Sequence, residues 1–566
     1  MNKAEMKVIV IGASAAGLKA ACRLRRLKPE AEVTVIEKGE YISYAACGLP
    51  YFLSGDINKF DDLRTTPYDL LKDPEYFSSI KDVDVRIQTE AMKIDRENQK
   101  VQCRSIVDTK EYELDYDHLV IAAGAYPVIP DIAGKELPGV HTFTRAEDAI
   151  VLRKACETGQ IGKVAIIGAG YIGIELSEAF LSLWGISVTL FEAKEHILPE
   201  ILDTEIAFAI EKMLKSEGVE IRTGARCESI IQKDDTLAVK TGPDETEEGF
   251  DRIIICAGVR PNVRLAAEAG LTIGDKQGII VNEYLQTSDP DIYAAGDCIE
   301  VKHRLTDQTV NIPLGSLANR MGRAVGENIA GFPRTFEPVL GSSIIKAFDW
   351  NIGCTGLNIT RAREAGFNAG EVWGYFEDKA HYYPEPKPIM IKLAFDITTK
   401  RILGIQAVGE GDVIRRIDSM AALLQYDAVL DDIVNFEPAY APPYGGPIDP
   451  LHYLAYTAEA VIASRAEILH PDSIYLYKDS GAAYLDVRSE DEIESSPLPD
   501  GIEEKYSIPL QQLRSKVDEL PAGKNYIIVC QKGIRSYEAA LILKESGIQN
   551  ASFIGGGMLF ANNYRD

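Results

Sequence analysis

Positive charge is scarce in this chain. Lys and Arg total 60 against 86 Asp and Glu, a formal net charge of −26 at pH 7. That balance argues against general nucleic-acid affinity, and any anionic ligand must be held by local basic residues and helix N-termini. Paired cysteines are also missing. The nine cysteines (22, 47, 103, 156, 227, 256, 298, 354, 530) include no Cys-x-x-Cys pair and no regular spacing, which argues against a disulfide framework and a metal site; most are expected to be buried and reduced. No signal-peptide pattern precedes Val8 and no apolar run is long enough to span a bilayer, so a cytoplasmic protein without membrane contact is expected. Nor is there a low-complexity tract.

What is present is length, core-forming residues and glycine. The 566 residues make several domains, 46% of them are hydrophobic, and the 46 glycines suit nucleotide-binding turns. Lys7–Ile11 is a short β-rich run followed by Gly12-Ala13-Ser14-Ala15-Ala16-Gly17, a helical stretch from Leu18 to Leu27, and a second strand, Val33–Ile36, ending at Glu37 and Lys38. Strand, Gly-rich turn, helix, strand and acid in this order place helix amides on a pyrophosphate and the acid on ribose hydroxyls. Ser14 occupies the place of the second glycine of G-x-G-x-x-G, so this copy alone is weak. The second copy is complete. Val164–Ile167 leads to Gly168-Ala169-Gly170-Tyr171-Ile172-Gly173-Ile174-Glu175, a helix, and Val188–Phe191 closing at Glu192. A carboxylate there accepts ribose hydroxyls and repels a 2′-phosphate, favouring NADH over NADPH, a preference that Lys194 moderates.

Three further β-rich runs break at glycine: Val120–Ala125 with Ala123 and Gly124, Ile253–Asn262 with Gly258, and Ile292–Cys298 with Gly296 and Asp297. Two dinucleotide folds, the first interrupted by the second and completed by a segment ending in Gly-Asp, resemble the pyridine nucleotide-disulfide oxidoreductases. The resemblance implies FAD and NAD(P)H as cofactors, with Glu37 on the FAD ribose and Asp297 on its ribityl and phosphate region. The expected fold class is α/β: a discontinuous FAD domain (1–150 and 250–333), an NAD(P)H domain (151–249), an α+β dimerisation domain (334–456), a linker (457–469) and a separate small α/β domain (470–566).

Cys47 lies in Ser43-Tyr44-Ala45-Ala46-Cys47-Gly48-Leu49-Pro50-Tyr51, where a helix could begin and lower the thiol pKa. Five residues on, where a two-cysteine reductase needs its second thiol, stands Phe52. Ala15 and Ala16 stand where oxygen-using relatives carry a histidine. The Ser43–Tyr51 segment and Tyr440-Ala441-Pro442-Pro443-Tyr444-Gly445 resemble coenzyme A disulfide reductases. That resemblance implies a homodimer in which Tyr444 and one of Tyr382 or Tyr383 approach the cysteine of the other subunit. It also implies a coenzyme A site built from Arg23, Arg26, Ser43, Asn319 and Arg323, the last two one helical turn apart. Ala46 departs from the asparagine usual in that family.

Cys530 ends an apolar strand and opens the loop Cys530-Gln531-Lys532-Gly533-Ile534-Arg535 before a helical run from Ser536. Loop amides and Arg535 can stabilise a thiolate or persulfide there. With Leu485-Asp486-Val487-Arg488 and the glycines at 555–557, this segment resembles a rhodanese domain, in which the cysteine carries sulfane sulfur. The whole chain resembles the rhodanese-fused coenzyme A disulfide, persulfide and polysulfide reductases. The function expected is NAD(P)H-driven, FAD-dependent reduction of one of these small sulfur substrates. An NADH oxidase or peroxidase working through a Cys47 sulfenate and an FAD-based redox sensor are the alternatives.

Overall fold

Residues 6–243, 245–477 and 480–564 are described by a computed structural model. They form two compact units, one running through Ala193 and resuming over Ala225–Gly341, the other comprising Lys194–Gly224 and the chain from Ser342. The segment expected as one nucleotide domain, 151–249, therefore contributes to both.

In the first unit, two parallel sheets repeat one plan. The first runs Ile292–Ala294, His118–Ile121, Lys7–Ile11, Glu32–Ile36, Asp84–Arg86. The second places Ser187–Phe191, Lys163–Ile167, Arg252–Ile255 and Val140–Thr142 side by side. The central strands are buried over four consecutive residues, as parallel strands covered on both faces must be. Each first strand turns into its helix, Ala15–Leu27 or Tyr171–Ser182, through a glycine that no other residue could replace. Gly12 has φ +108° and a Cβ on it would lie 2.2 Å from the Ala122 carbonyl oxygen; Gly168 has φ +110° and a Cβ would lie 2.4 Å from the Cys256 oxygen.

A second close approach sets the geometry of the site. The helix Gly315–Ile329 crosses Ala15–Leu27. A Cβ at Gly322 would meet the Ala16 carbonyl oxygen at 2.2 Å, and one at Gly326 the Ala20 oxygen at 2.6 Å. These small residues let the two backbones touch and align their polar edges.

The second unit holds an antiparallel sheet in the order Ser343–Ala347, Trp350–Gly356, Ile402–Gly409, Pro388–Asp396, Ala369–Glu377. Lys392, only 1% exposed on this sheet, explains why Lys194–Gly224 belongs to it. Its ammonium meets Asp203 at 2.8 Å, Glu371 at 2.7 Å and Glu205. A charge so buried persists only when fully paired. Beyond it lies a parallel sheet, Glu467–Leu469, Ala551–Ile554, Tyr526–Val529, Ala483–Asp486, Lys505–Ser507.

Two local expectations change. The helical connector expected from Leu454 to Leu469 is the helix Pro450–Ile462, and Glu467–Leu469 is the edge strand of the last sheet, paired with Ser552–Ile554. The helix after Cys530 starts at Ile534, so Arg535 lies in its first turn and not in the loop. Among the described residues no helix is long and apolar enough to cross a membrane.

Candidate active site

The two glycine turns carry matching carboxylates. Glu37 accepts hydrogen bonds from the amides of Ala13 and Gly39, both at 2.9 Å, and Glu192 accepts one from Ala169 at 2.9 Å. Each acid is thereby fixed beside its turn with oxygen lone pairs left for hydroxyl donors. A Cβ on Gly170 would meet no protein atom within 4 Å, and Ser14, at the corresponding place, is exposed and makes no capping bond. The outer faces of both turns are open to a pyrophosphate, which explains why serine is tolerated there. Tyr171 and Ile172 open the second helix, and Gly173 packs on the Gly168 carbonyl as Gly17 packs on that of Gly12. Ala16 is buried against Gly296 and Ala15 is half-buried beside it. Ala123 and Gly124 are held to the Gly258 region by Asn262, whose side chain donates to the Ala123 carbonyl and whose amide donates to that of Gly124. Lys38 is paired with Glu90 at 3.0 Å. Asp297 is held in place by Asn311, which donates to its carbonyl at 2.9 Å, while burial raises its carboxyl above the usual range. A carboxyl raised by burial suits hydroxyl donors of a sugar or ribityl chain, so these residues fit FAD and a nicotinamide dinucleotide.

The Ser43 amide donates to the Ala13 carbonyl at 2.9 Å, and Ser43 takes a left-handed φ of +55°. This ties the cysteine segment to the first turn. Cys47 then sits in a single 3₁₀ turn, Ala46–Gly48, ahead of the short helix Leu49–Ser54. The residue is exposed, yet the thiol is pushed up by burial of its sulfur, then by Glu175 and Asp297; its own backbone amide opposes them. Within this chain burial of the sulfur, with Glu175 and Asp297 adding to it, opposes the lowering expected of a helix N-terminus. Glu175, which sequence reasoning passed over, is itself raised to about 7 by burial and then Glu178. Phe52 is buried against Phe60, with ring centroids 5.8 Å apart, and all nine cysteines are free thiols.

The long helix Gly315–Ile329 begins at this sulfur: a Cβ on Gly315 would lie 3.8 Å from Cys47 Sγ. Asn319, one turn on, donates to the Gly315 carbonyl at 2.9 Å. A further turn on, Arg323 meets Glu327 at 3.1 Å, and the same buried acid receives Arg23 at 2.5 Å and Arg334 at 3.0 Å. Three guanidiniums on one carboxylate leave an excess of positive charge on this helix, with Arg323 eight residues, about 12 Å of helix axis, beyond Gly315. Arg334 was not expected in this group; Arg26 is exposed and no ion pair is recorded for it among the described residues.

In the second unit, Tyr444 and Tyr382 are 68% and 65% exposed. Tyr382 is hydrogen-bonded to Tyr440, whose hydroxyl is raised chiefly by that bond, whereas the Tyr383 ring lies under Lys379 at 5.6 Å. The two neighbours, inseparable in sequence, thus differ in structure.

Cys530 is 1% exposed and its sulfur accepts hydrogen bonds from the Gly533 amide at 3.1 Å and the Ser536 hydroxyl at 3.0 Å. The loop is held from both sides. A Cβ on Gly557 would lie 2.5 Å from the Cys530 carbonyl oxygen, and Arg535 forms a two-pronged pair with Glu492 at 2.9 and 2.6 Å. That pairing, with burial opposing it, draws Glu492 down to about 2. Arg535 was expected to lend its charge to the sulfur; it is raised first by Glu492 and also by Cys530, so it pairs with the one while acting on the other. The buried Arg488 clamps Asp486 at 2.7 Å and the Ser496 carbonyl at 2.7 Å, positioning the turn that carries Glu492.

The profile of the pyridine nucleotide-disulphide oxidoreductase family matches residues 6–322, that of its dimerisation domain residues 342–448, and that of the rhodanese-like domain residues 471–559. A Pyrococcus furiosus protein described as an NAD(P)H sulfur oxidoreductase (CoA-dependent) is 39% identical over 449 residues, covering 79% of this chain and 98% of its own. The solved NAD-dependent persulfide reductase of A. fulgidus matches with a TM-score of 0.93 and 38% identity over 98% of this chain and all of its own. Reduced Bacillus anthracis CoADR-RHD matches with a TM-score of 0.92 and 32% identity over 100% of this chain and 99% of its own.

Proposed function

This chain belongs to the pyridine nucleotide-disulphide oxidoreductase family, and we propose that it uses NADH, or less selectively NAD(P)H, to reduce coenzyme A persulfide, polysulfide or coenzyme A disulfide. Cys47 is its single redox cysteine and Cys530 its carrier of sulfane sulfur. The observation that carries this reading is one helix, Gly315–Ile329, with the Cys47 sulfur at its N-terminal end and the arginines around Glu327 two turns on. A ligand with a thiol at one end and phosphates at the other lies along it. Arg23, Arg323 and Arg334 hold the phosphates, and Asn319 and Ser43 flank the arm.

Bound FAD supplies the electron pair taken from the nicotinamide. The Cys47 thiolate attacks the substrate disulfide or persulfide, a mixed disulfide with coenzyme A forms, and the other sulfur leaves with the bonding pair. Phe52 in the core denies any internal partner, so the second sulfur is the substrate's. Tyr444 and Tyr382 of a dimer related through residues 342–448 would protonate the departing sulfur; Tyr382 is preferred to Tyr383, whose ring lies under Lys379. Glu192 favours NADH, and Lys194, expected to moderate that preference, is paired with Glu200. We place the protein in the cytoplasm on its sulfur chemistry, with its thiols kept reduced.

Anaerobic NADH oxidation with coenzyme A disulfide, coenzyme A persulfide and polysulfide, set against aerobic oxidation without them, tests the reading. Turnover with at least one sulfur acceptor and little with dioxygen is expected, since Ala15 and Ala16 supply no acid for oxygen chemistry. Turnover with dioxygen alone would replace the reading with an oxidase.

A further inference from the structure

Two cations flank the Cys530 sulfur, Lys532 in the loop and Arg535 in the first turn of the helix after it, and both are already partnered. Arg535 is held by Glu492 within the C-terminal domain. Lys532 is held by a different part of the same unit: its ammonium donates to Glu377 at 3.0 Å and lies 5.7 Å above the Tyr375 ring. Both belong to the strand Ala369–Glu377 of the antiparallel sheet. The same strand presses on the loop's flank, where a Cβ on Gly555 would lie 2.5 Å from the Trp373 ring. The Tyr375 hydroxyl is raised by burial and then by Glu377 and Glu410, so this edge adds negative charge to the surroundings of Lys532. The sulfur of Cys530 itself receives only neutral donors, the Gly533 amide and the Ser536 hydroxyl.

Donors of sulfane sulfur differ in what they require at this point. With thiosulfate, the Cys530 thiolate attacks the sulfane sulfur, the new S–S bond forms, and sulfite leaves with the electron pair of the broken S–S bond. The donor and its leaving group are both small dianions whose charge lies on the reacting sulfurs and the oxygens bound to them, and they need a free cation beside the loop. With a thiol persulfide, the same attack expels a thiolate, a single charge on a carbon-bound sulfur. We propose that Glu377 is a specificity-determining residue of the Cys530 site: by occupying Lys532 it makes the site discriminate against thiosulfate and accept sulfur from thiol persulfides. This rests on the reading of Cys530 as the sulfane-sulfur carrier.

The test measures cyanide-dependent thiocyanate formation by the full-length holoenzyme with thiosulfate and with coenzyme A persulfide as donors. Replacing Glu377 with glutamine (Glu377→Gln) is expected to raise kcat/KM for thiosulfate roughly tenfold, mainly through KM, while the value for the persulfide changes less than about twofold. Adding Lys532→Ala to that variant is expected to erase the gain. An unchanged thiosulfate value in Glu377→Gln, or a parallel change for both donors, would overturn the proposal. Retention of both transfers by Cys530→Ser would instead overturn the reading beneath it.

Discussion

Cys47 and Cys530 are both unpaired cysteines, and the protein surrounds them in opposite ways. Cys530 is buried, receives an amide and a hydroxyl on its sulfur, and sits in a loop braced by Gly557, Arg535 and Arg488. Cys47 is exposed, has the carboxyls of Glu175 and Asp297 for neighbours, and has its thiol pushed up. The C-terminal site is complete in its own chain. The N-terminal site presents open glycine turns, a desolvated acid and an arginine cluster. A sulfur carrier needs only a loop that stabilises its charge, whereas a redox cysteine must yield its environment to cofactor and substrate.

The sharpest way to break this comparison is to exchange the two sulfurs for oxygen separately. Cys47→Ser is expected to lower NADH-linked reduction of coenzyme A disulfide by roughly a thousandfold or more while cyanide-dependent sulfur transfer persists, as loss of the nucleophile requires. Comparable losses of both activities in that variant would show that the sites do not work independently. Ser536→Ala removes one of the two donors to Cys530, and a charge-assisted hydrogen bond of this kind makes sulfur transfer about tenfold slower, with disulfide reduction unaffected. The smallest effect concerns Glu175. In protein stripped of FAD, alkylation of Cys47 should accelerate with pH and level off only above the ordinary thiol range, because its raised pKa keeps the thiolate fraction low at neutrality. Glu175→Gln removes the second of the causes that raise it, and the midpoint should fall. An alkylation profile levelling off near neutrality would contradict the electrostatics described for this cysteine.

The nucleotide folds were legible because backbone geometry forces their signature. Gly12 and Gly168 cannot bear a side chain against the carbonyls of Ala122 and Cys256, so the spacing is written in glycine. The Cys530 loop was legible for a similar reason, through Gly533 and the glycines after Ile554. The arginine cluster was only half legible. Arg23, Arg323 and Arg334 meet because Gly322 and Gly326 bring two helices into contact and Glu327 binds all three, a convergence across some 300 positions that leaves no local pattern. Glu175 beside Cys47 and Glu377 on Lys532 are hidden for the same reason. The carboxylate partner of Arg535, Glu492, lies 43 positions away and leaves no local pattern beside the thiol. The edge strand Glu467–Leu469 has too few residues for a period to show.

The central claim is that the missing partner of Cys47 is coenzyme A itself. Intact-mass and peptide mass measurement of protein mixed anaerobically with coenzyme A disulfide, before and after NADH is added, tests it most directly. A single coenzyme A adduct on Cys47 that disappears with NADH is predicted, leaving Cys530 without one. A sulfenate on Cys47 with no adduct, or an adduct that NADH leaves in place, would contradict the account.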